Sequence, residues 1–490
     1  MTNLKIAGAL LSLMAFTLTT QAQVNLYPAM GGSMLPASQD YSVEVRAKAG
    51  EEWQQVEVLR CEVDLDKVES ASFAQFDMEA PVELRVACHR TQGSSPTLAV
   101  VRPLSLHIQA VQPAPDTLLF TLDHPAYLSI EFDGERKHNL HLFANPMEQE
   151  RYRGNEADCI NWGGTKSHDV FMKNARLIYF GPGVHKPKDL PGDEIKIPSN
   201  TTVYIAPGAV IKAKLCVDHA RNVRIVGRGI IDHPLRGIEI THSRNVTVEG
   251  LTILNPQHYT VYGGQSDSIT LRDLKSFSCK PWSDGIDLMS CSDVTIDNVF
   301  LRTSDDCIAL YNHRWWFWGD TRNVTVTRAV LWADVAHPIN MGTHGDDKSA
   351  EGEKIENVTF RNIDILEEDE DCDPYRGVMA ISCGDKNRIE DVLFDSIRVE
   401  PIEEGRLFNL QVMFNETYNQ QPGGSIRNIT FRNITFTTGS GTLYPSWIKG
   451  YDATHRVSGI HFENVVIDGR PLKDIKDFET NSFVDDVTVK

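Results

Sequence analysis

Four aspartates occur in two groups, and they are the strongest candidates for chemistry in the sequence. Asp284 and Asp287 stand in the run Trp282-Ser283-Asp284-Gly285-Ile286-Asp287, and Asp305 and Asp306 form a doublet 21 residues after Asp284. Hydrolysis of a glycosidic bond needs such a set, because one carboxylic acid protonates the leaving oxygen while a carboxylate activates water or attacks the sugar. Neighbouring carboxylates also raise one another's pKa, which keeps one of them protonated to act as the acid.

A sequence repeat around the aspartates predicts how the two groups are positioned. Each unit has a polar or small residue followed by a β-branched residue. These pairs are Asn222-Val223, Asn245-Val246, Ser268-Ile269, Asp293-Val294, Asn323-Val324, Asn357-Val358, Asp391-Val392, Asn428-Ile429 and Gly459-Ile460. Short strands that recur every 23 to 37 residues, without helical patterns between them, indicate a solenoid of stacked parallel strands.

Residues one coil apart in such a solenoid lie about 4.8 Å apart, so Asp284 and the Asp305-Asp306 doublet should meet on one surface. Adjacent residues of a strand point to opposite faces, and therefore the chain should bend or bulge at the doublet. The repeats lengthen after Asp306. Because extra residues of a solenoid go into loops on one face, we expect these loops to form the walls of a cleft.

The predicted fold class is all-β, with an N-terminal β-sandwich followed by a parallel β-helix. Residues 23–147 contain short alternating segments broken by polar turns, such as 41–47 and 82–86, which is typical of a sandwich. Residues 148–176 lose that alternation and are predicted to be a linker, whereas residues 177–490 carry the repeats and the candidate catalytic groups. Residues 1–22 combine a basic residue, an apolar run and a small-residue cleavage site, which predicts a signal peptide.

Charge and hydropathy exclude some partners and favour export. The formal net charge of -19 would repel nucleic acid and an anionic membrane surface, so we expect neither as a partner. No apolar stretch is long enough to span a bilayer, so we expect no membrane insertion. The predicted signal peptide implies a periplasmic or extracellular location, and the sequence leaves the oligomeric state open.

The nine cysteines are odd in number and dispersed, so they do not form a disulfide scaffold. Cys61 with Cys88, and Cys372 with Cys383, are candidate pairs in an oxidising compartment. Buried free thiols are expected at four others, Cys216, Cys279, Cys291 and Cys307.

The predicted chemistry requires no cofactor and no metal ion. The acidic run from Glu367 to Asp373 offers oxygen ligands, but its spacing matches no calcium loop, and a solvated loop is the simpler interpretation. Asp287 and Trp282 are predicted to contact the substrate. Trp315 and Trp316 are candidates for stacking on sugar rings, although their run could equally anchor its own loop.

These motifs resemble those of glycoside hydrolase family 28, the polygalacturonases. The resemblance rests on Asp284-Gly285-Ile286-Asp287, on Asp305-Asp306-Cys307 and on a His in the next coil, His337. A broader resemblance extends to the dextranases and isopullulanases of family 49, through a sandwich before the helix and through Val330-Leu331-Trp332 ahead of His337-Pro338-Ile339. Both families imply a right-handed parallel β-helix, a polysaccharide or oligosaccharide substrate, and hydrolysis with inversion at the anomeric carbon.

The resemblance also implies a role for each catalytic candidate. Asp305 would be the general acid, Asp284 and Asp306 would hold and activate the water, and His337 would tune the group by hydrogen bonding. Inverting enzymes generally separate the acid and base carboxyl groups by roughly 6.5 to 9.5 Å, and we expect that separation here, whereas a pair only about 5 Å apart would indicate a covalent mechanism.

Departures from family 28 bear on the substrate. Trp282-Ser283-Asp284 stands where the family has Asn-Thr-Asp, and Ala336-His337-Pro338 stands where it has Gly-His-Gly. Met379-Ala380-Ile381 falls where the family has the Arg-Ile-Lys that binds a substrate carboxylate. Basic residues that could replace this clamp are Lys280, Arg314, Arg376, Lys386 and Arg388. Without such a replacement, a neutral glycan of dextran or pullulan type is favoured over polygalacturonate.

Two other functional classes are compatible with a β-helix. A polysaccharide lyase cleaves uronans by elimination, but it needs a Lys or Arg base, which the aspartate doublet does not supply. A non-catalytic adhesin or carbohydrate-binding module is the other alternative, because fold alone does not determine function.

Overall fold

The computed structural model describes residues 24–32, 34–47, 49–90, 96–162, 176–187 and 191–490. Within them the regular secondary structure is almost entirely β-strand, with two 3₁₀ segments at Leu104–Leu106 and Pro191–Asp193. The predicted signal peptide, residues 1–22, lies outside the described residues, so export stays a prediction. No helix in these ranges is long and apolar enough to cross a membrane.

The N-terminal part is a sandwich of two sheets that spans Val24 to Pro146. The strands of the first sheet are Val24–Leu26, Val58–Val63, Glu69–Met78, Ala99–Arg102, Ala126–Phe132 and Leu140–Pro146. Those of the second are Tyr41–Arg46, Gln54–Val56, Val82–Cys88, Ala110–Ala114 and Thr117–Leu122. Alternate residues of both sheets point inward and form one apolar core, which includes Val43, Leu84 and Phe76.

The rest of the described chain is a parallel β-helix with three faces. Strands of the first face are Cys159–Asn161, Leu177–Phe180, Thr202–Ile205, Arg221–Gly227, Arg244–Glu249, Asp267–Arg272, Ser292–Asp297, Thr321–Thr327, Lys354–Glu367, Arg388–Val399, Ser425–Phe436, Val457–Ile467 and Val484–Val489. Strands of the second face are Gly183–His185, Ala209–Ile211, Ile230–Asp232, Thr252–Leu254, Lys275–Phe277, Phe300–Thr303 and Val330–Ala333.

Strands of the third face are Glu194–Lys196, Lys214–Asp218, Ile238–Thr241, Val261–Gly264, Ile286–Met289, Ile308–Tyr311, Ile339–Met341, Met379–Cys383, Phe408–Val412, Trp447–Lys449 and Glu479–Thr480. Glu404–Gly405 pairs with Thr442–Leu443 outside the three faces, and Arg470–Pro471 folds back on Val457–Ile467.

The sequence repeat is the vertical register of the first face. Val223 pairs with Val246 and Val246 with Ile269, and the same holds for every aligned apolar residue through Ile460. The residue before each of them has a left-handed backbone, with φ between +53° and +67°. Asn, Asp and Gly adopt that conformation at the lowest cost, which explains the polar or small residue in the repeat. Asn245 also donates a side-chain hydrogen bond to Asn222 at 2.8 Å.

The sandwich covers the second face of the helix. Seven successive coils each contribute apolar side chains to the interface, namely Val210, Ile230, Leu254, Phe277, Phe300, Val330 and Leu366. Sandwich residues such as Phe73 and Phe143 pack against them. Buried ion pairs join the same two parts, between Arg228 and Asp77 at 2.8 Å and between Arg102 and Glu400 at 2.7 Å. The two parts therefore share one continuous apolar and polar interface.

Three expectations about the chain differ from the structure. The parallel stack already includes Cys159–Asn161, which pairs with Leu177–Phe180 inside the predicted linker. All nine cysteines lie among the described residues and are free thiols, so neither candidate disulfide is formed. The acidic run is not a solvated loop throughout, because Glu367 and Glu368 are buried. Glu367 is paired with Arg136, which the sequence spacing could not indicate because Arg136 belongs to the sandwich.

Candidate active site

Asp284, Asp305, Asp306 and His337 lie in the same turn of three successive coils, just before the third-face strands Ile286–Met289, Ile308–Tyr311 and Ile339–Met341, and Asp287 lies within the first of these strands. Main-chain hydrogen bonds hold these turns in register. Gly285 N–H donates to the Asp306 carbonyl at 2.8 Å, and Cys307 N–H donates to the His337 carbonyl at 2.8 Å. Gly285 is needed here because a Cβ would lie 2.3 Å from the Cys307 carbonyl oxygen.

The chain bends at the doublet, as the sequence predicts. Asp305 and Asp306 fall between Phe300–Thr303 and Ile308–Tyr311, outside any strand, so both side chains can face the same cleft. This cleft has a volume of about 420 Å³. Its lining residues are Tyr259, Trp282, Asp284, Asp305, Asp306, Tyr311, Arg314, Val335, Ala336, His337, Asn340, Thr343, His344, Glu370, Cys372, Tyr375, Asn415, Thr417 and Tyr418.

Asp306 is the best-supported carboxylate of the group. Its Oδ1 accepts hydrogen bonds from the His337 main chain at 3.2 Å and from His337 Nδ1 at 2.6 Å, and its Oδ2 accepts from Asn340 at 2.8 Å and from Tyr311 at 3.3 Å. Burial acts to raise the pKa of Asp306, but the His337 charge and these bonds outweigh it and lower the pKa. Asp306 is therefore held ionised.

His337 is held as the matching cation. Its Nδ1 faces Asp306 and its Nε2 faces the main-chain carbonyl of Tyr375, so both ring nitrogens meet acceptors. Burial would lower the pKa of His337, but the Asp306 carboxylate raises it to about 10. An imidazolium donates from both nitrogens, which fixes the ring between the two acceptors.

Asp305 has the opposite character. Within the described part of the chain it accepts only main-chain bonds, from Trp282 N–H at 3.2 Å and from Asp306 N–H at 3.0 Å. Burial and the adjacent Asp306 charge raise the pKa of Asp305 to about 7. The doublet therefore combines a carboxyl group that keeps its proton below neutral pH with one that stays ionised.

Asp284 and Asp287 form the rest of the acidic group, at different depths. Asp284 lines the cleft, and burial together with the neighbouring carboxyl groups of Asp287 and Asp305 raises its pKa. Asp287 is fully buried and is not among the lining residues, although the sequence predicted a contact with substrate. Among the described residues, neither Asp287 oxygen has a hydrogen-bond partner of normal geometry. Burial is the largest influence and raises the pKa of Asp287, although the Arg314 charge and the nearby Tyr259 hydroxyl act to lower it. A buried carboxyl group without a partner is held neutral.

One carboxylate oxygen from each of Asp284, Asp305 and Asp306 lies within 4.8 Å of the other two. These oxygens are nearer than the 6.5 to 9.5 Å expected for the carboxyl groups of an inverting enzyme, so that expectation is not met between them, and a spacing of about 5 Å is the one typical of a covalent mechanism. Two acceptors bound to the same water stand about 4.4 Å apart, given hydrogen bonds of about 2.7 Å at a tetrahedral angle. The spacing therefore suits a single water bridging two carboxylates.

Of the other residues predicted to contact the substrate, some lie at or beside the cleft and others lie away from it. Trp282 is 64% exposed at the cleft, and Trp315 stacks on the cleft residue Tyr259 with ring centroids 5.7 Å apart. Trp316 in turn stacks on Trp315. Arg376 does not line the cleft, because Asp373 and Glu404 bind its guanidinium.

Lys386 also lies away from the cleft, with its Nζ bonded to the Ser349 carbonyl at 2.9 Å. Of the basic residues named from the sequence, only Arg314 lines the cleft. Its guanidinium lies over the Tyr311 ring at 4.9 Å, and within the described ranges it has no carboxylate within 4.0 Å. Arg314 is therefore the one candidate left for binding an acidic sugar.

Sequence reasoning missed Asn340 and Tyr375. Asn340 stacks over Ala309 in the third face and bonds Asp306, a position that the register of Ile308 and Ile339 could have indicated. Tyr375 belongs to a long loop whose path no repeat predicts.

The carboxylate oxygens of Asp284, Asp305 and Asp306 are close enough to hold a cation, as are atoms of two further groups in the described chain. One group is Glu194, Cys216 and Glu239, where Lys214 already binds both glutamates at 2.9 Å. The other is His313, Asp346 and Glu353. Proximity alone does not identify a metal site in any of them.

The model of "Glycosyl hydrolases family 28" matches residues 208–482, which is more than half of the chain and includes every catalytic candidate. The chain belongs to glycosyl hydrolase family 28. The resemblance stated from the aspartate motifs is thereby confirmed.

Relatives of this family 28 chain are distant. It is 22% identical over 212 residues to exopolygalacturonase clone GBGE184 of Arabidopsis thaliana, covering 42% of this chain and 45% of that protein. It is 23% identical over 253 residues to the probable endopolygalacturonase D of Neosartorya fischeri, covering 51% and 47%. The chain thus spans about half the length of the curated relatives it matches.

Solved structures confirm the fold class. Dex49A from Penicillium minioluteum matches with a TM-score of 0.66 at 15% identity, over 95% of this chain and 96% of that one. The family 28 exopolygalacturonase of Yersinia enterocolitica matches with a TM-score of 0.50 at 11% identity, over 83% and 96%. The family 28 chain therefore has the predicted sandwich followed by a right-handed parallel β-helix.

The burial of Asp287 generates a prediction. Asp287→Asn is expected to keep activity within about tenfold of the parent, because the amide resembles the neutral carboxyl group in size and charge. Asp284→Asn is the matched variant, and it should lose about 10²–10⁴-fold in kcat, as removal of a group active in proton transfer does. Initial rates of sugar release measure both, and an Asp287→Asn enzyme as inactive as Asp284→Asn would contradict the neutral state.

Proposed function

We propose that this protein hydrolyses glycosidic bonds of a polysaccharide or oligosaccharide, with Asp305 as the general acid. The observation that carries the proposal is the difference in pKa within the doublet, where Asp305 is raised to about 7 and Asp306 is lowered. Carboxyl groups whose environments separate their pKa values are the usual sign of an acid and a base acting together. Membership of family 28 supports the same reaction class.

Each group has a defined part in the proposed reaction. Asp305 donates its proton to the glycosidic oxygen as the bond between that oxygen and the anomeric carbon breaks. A water held between Asp284 and Asp306 forms the new bond to the anomeric carbon, and its proton passes to Asp306, the ionised carboxylate of the two. His337 acts through Asp306, because its positive charge keeps that carboxylate ionised and its ring fixes the orientation.

The acid role predicts the effect of Asp305→Asn. The amide has no acidic proton, so kcat should fall about 10²–10⁴-fold, while circular dichroism and the melting temperature stay close to those of the parent. In the parent, kcat/KM should fall as pH rises through about 7, because Asp305 then loses its proton. Release of reducing sugar without the absorbance of an unsaturated product separates hydrolysis from a lyase. Activity of Asp305→Asn within a few-fold of the parent would remove Asp305 from this role.

Inversion is the stereochemical outcome that the proposal requires. Asp306 is a poor nucleophile, because two donors occupy each of its oxygens and it is only 4% exposed. The raised pKa of Asp284 keeps that carboxyl group protonated and makes it a poor nucleophile as well. Water is then the group that attacks, and one displacement by water inverts the anomeric carbon. NMR of the first product should therefore show the anomer opposite to the substrate linkage. A product with the retained anomer would indicate a covalent glycosyl intermediate on one of the aspartates.

A neutral glycan of dextran or pullulan type is the proposed substrate. Carboxyl groups of Asp284, Asp305, Asp306 and Glu370 line the cleft, and the His337 charge is already paired with Asp306. Arg376 and Lys386 are engaged elsewhere. The net charge of -19 on the whole chain disfavours a polyanion unless fixed cations compensate.

Polygalacturonate is the alternative, and Arg314 is the observation in its favour. Its guanidinium faces the cleft without an ion pair among the described residues, and relatives named polygalacturonases match part of the chain. One guanidinium can bind one sugar carboxylate through two hydrogen bonds.

Initial rates at low salt on dextran, pullulan and polygalacturonate distinguish the two substrates. We expect a neutral glycan to be cleaved faster, and Arg314→Gln to change the rates on all substrates in similar proportion. Arg376→Gln is the control, since its side chain is basic but lies away from the cleft. Preference for polygalacturonate that Arg314→Gln abolishes, and Arg376→Gln leaves intact, would establish the uronan instead.

A further inference from the structure

The loop 312–320 carries three exposed tryptophans at one edge of the helix. It connects the third-face strand Ile308–Tyr311 to the first-face strand Thr321–Thr327. In the two preceding coils, the same connection needs only Gln265-Ser266 or Ser290-Cys291. The exposed fractions are 39% for Trp315, 63% for Trp316 and 63% for Trp318. The longer loop thus exposes aromatic side chains at a position where the two preceding coils have only two-residue turns.

The loop 312–320 is held in place by buried contacts and main-chain hydrogen bonds, and not by its exposed tryptophans. Phe317 is fully buried, and Arg314 and Phe317 exchange main-chain hydrogen bonds around the hairpin tip. The Glu353 carboxylate accepts the main-chain N–H groups of His313 and Gly319 at the two ends of the loop, at 2.9 Å for His313 and 2.5 Å for Gly319. The exposed tryptophan side chains therefore project from a preorganised backbone, which lowers the entropic cost of binding a ligand.

Phe317 also directs the loop back over earlier coils. Its ring occupies the space beside Gly264, where a Cβ would lie 2.4 Å from it, and it contacts the ring of His242 at a centroid distance of 5.5 Å. Trp315 and Trp316 lie on the side of Tyr259 and the catalytic cleft. Trp318 lies on the other side, beside the short turns of the preceding coils.

Trp318 forms one wall of a groove of about 260 Å³. The polar residues that line it are Gln265, Ser266, Asp267, Ser290, Ser292, Asp320 and Arg322. This groove shares no lining residue with the catalytic cleft. A second concavity of about 560 Å³ lies along the same edge, at the turns of the two coils before, and includes His242, Asn245 and Ser268.

We propose that the Trp318 groove is a second glycan-binding site, which holds a neutral stretch of polysaccharide outside the catalytic cleft. The flat indole offers an apolar face for the C–H face of a pyranose, as large amphipathic rings do at binding sites. Gln265, Asp267 and Arg322 supply donors and acceptors for the ring hydroxyls, which matches the general pattern of apolar surface with a few polar groups.

Charge and dimensions both favour a neutral polymer. Asp267, Asp320 and Arg322 line the Trp318 groove, and Asp267 is paired with Arg244 of the second concavity at 3.0 Å, so the described lining of the Trp318 groove has no excess positive charge for a polyanion. The turns and the loop that line the two concavities belong to five successive coils, which span about 19 Å at the spacing of parallel strands. One coil is comparable in height to one sugar unit, so the edge suits a chain that runs along the helix axis.

The ligand class rests on the proposed function, because a glycan substrate makes a second glycan site useful. Binding can nevertheless be measured without catalysis. The test uses Asp305→Asn as the parent and affinity gel electrophoresis in gels that contain dextran, pullulan or polygalacturonate. Trp318→Ala is introduced into that parent, with Trp318→Phe as the conservative variant and Val111→Ala as the control. Val111 is 64% exposed on the sandwich, far along the sequence from either groove.

We expect Trp318→Ala to weaken retention by a neutral glycan about tenfold, as loss of a central aromatic contact does. Trp318→Phe should recover part of that retention, and Val111→Ala should equal the parent. Melting temperatures of the variants establish that each is folded. Retention by a neutral glycan that depends on Trp318 supports the site even if no hydrolysis is ever detected, so failure of the proposed function is distinguishable. Equal retention of Trp318→Ala and the parent, or retention of the parent by none of the three glycans, would overturn the proposal.

Discussion

Main-chain hydrogen bonding between successive coils is the constraint on which the rest of this structure depends. Each coil must present its N–H and C=O groups to the next at the spacing of parallel strands, so residues at equivalent positions stack. The candidate active site uses that stacking directly. Asp284, Asp306 and His337 come from three coils, and the hydrogen bonds that run from Gly285 to Asp306 and from Cys307 to His337 set their spacing. Loops can lengthen at the edges without disturbing this register.

Stacking like charges at that spacing has an electrostatic cost, and the site distributes it unevenly. Asp306 receives four hydrogen bonds and a cationic neighbour, and so it carries the negative charge. Asp305 and Asp284 face the cleft with raised pKa values, and Asp287 is buried beneath it without a partner among the described residues. Neighbouring carboxyl groups cannot all ionise at such distances, and the different surroundings decide which of them does.

The sequence predicted the features that repeat and missed those that occur once. Stacking of Val223 on Val246 followed from spacing, and so did the bend at Asp305-Asp306, because both are consequences of strand geometry. Arg376 shows the limit, since its basic charge suggested a substrate clamp, whereas Asp373 and Glu404 bind it away from the cleft. Sequence distance alone could not show such partners, because irregular loops bring them together. Burial of Asp287 was missed for a related reason, as depth below a cleft depends on the walls that long loops build.

The interface between the sandwich and the second face has a consequence for how the molecule unfolds. Stability in a solenoid normally depends on contacts between nearest neighbours, so the end repeats can fray while the middle stays folded. Here one compact sandwich packs on apolar residues from seven successive coils, from Val210 to Leu366. Opening any one of those coils also disrupts the sandwich interface, and with it the contacts of coils far along the axis. The N-terminal domain therefore couples the stability of these coils, so that the coils around the cleft unfold cooperatively rather than one at a time.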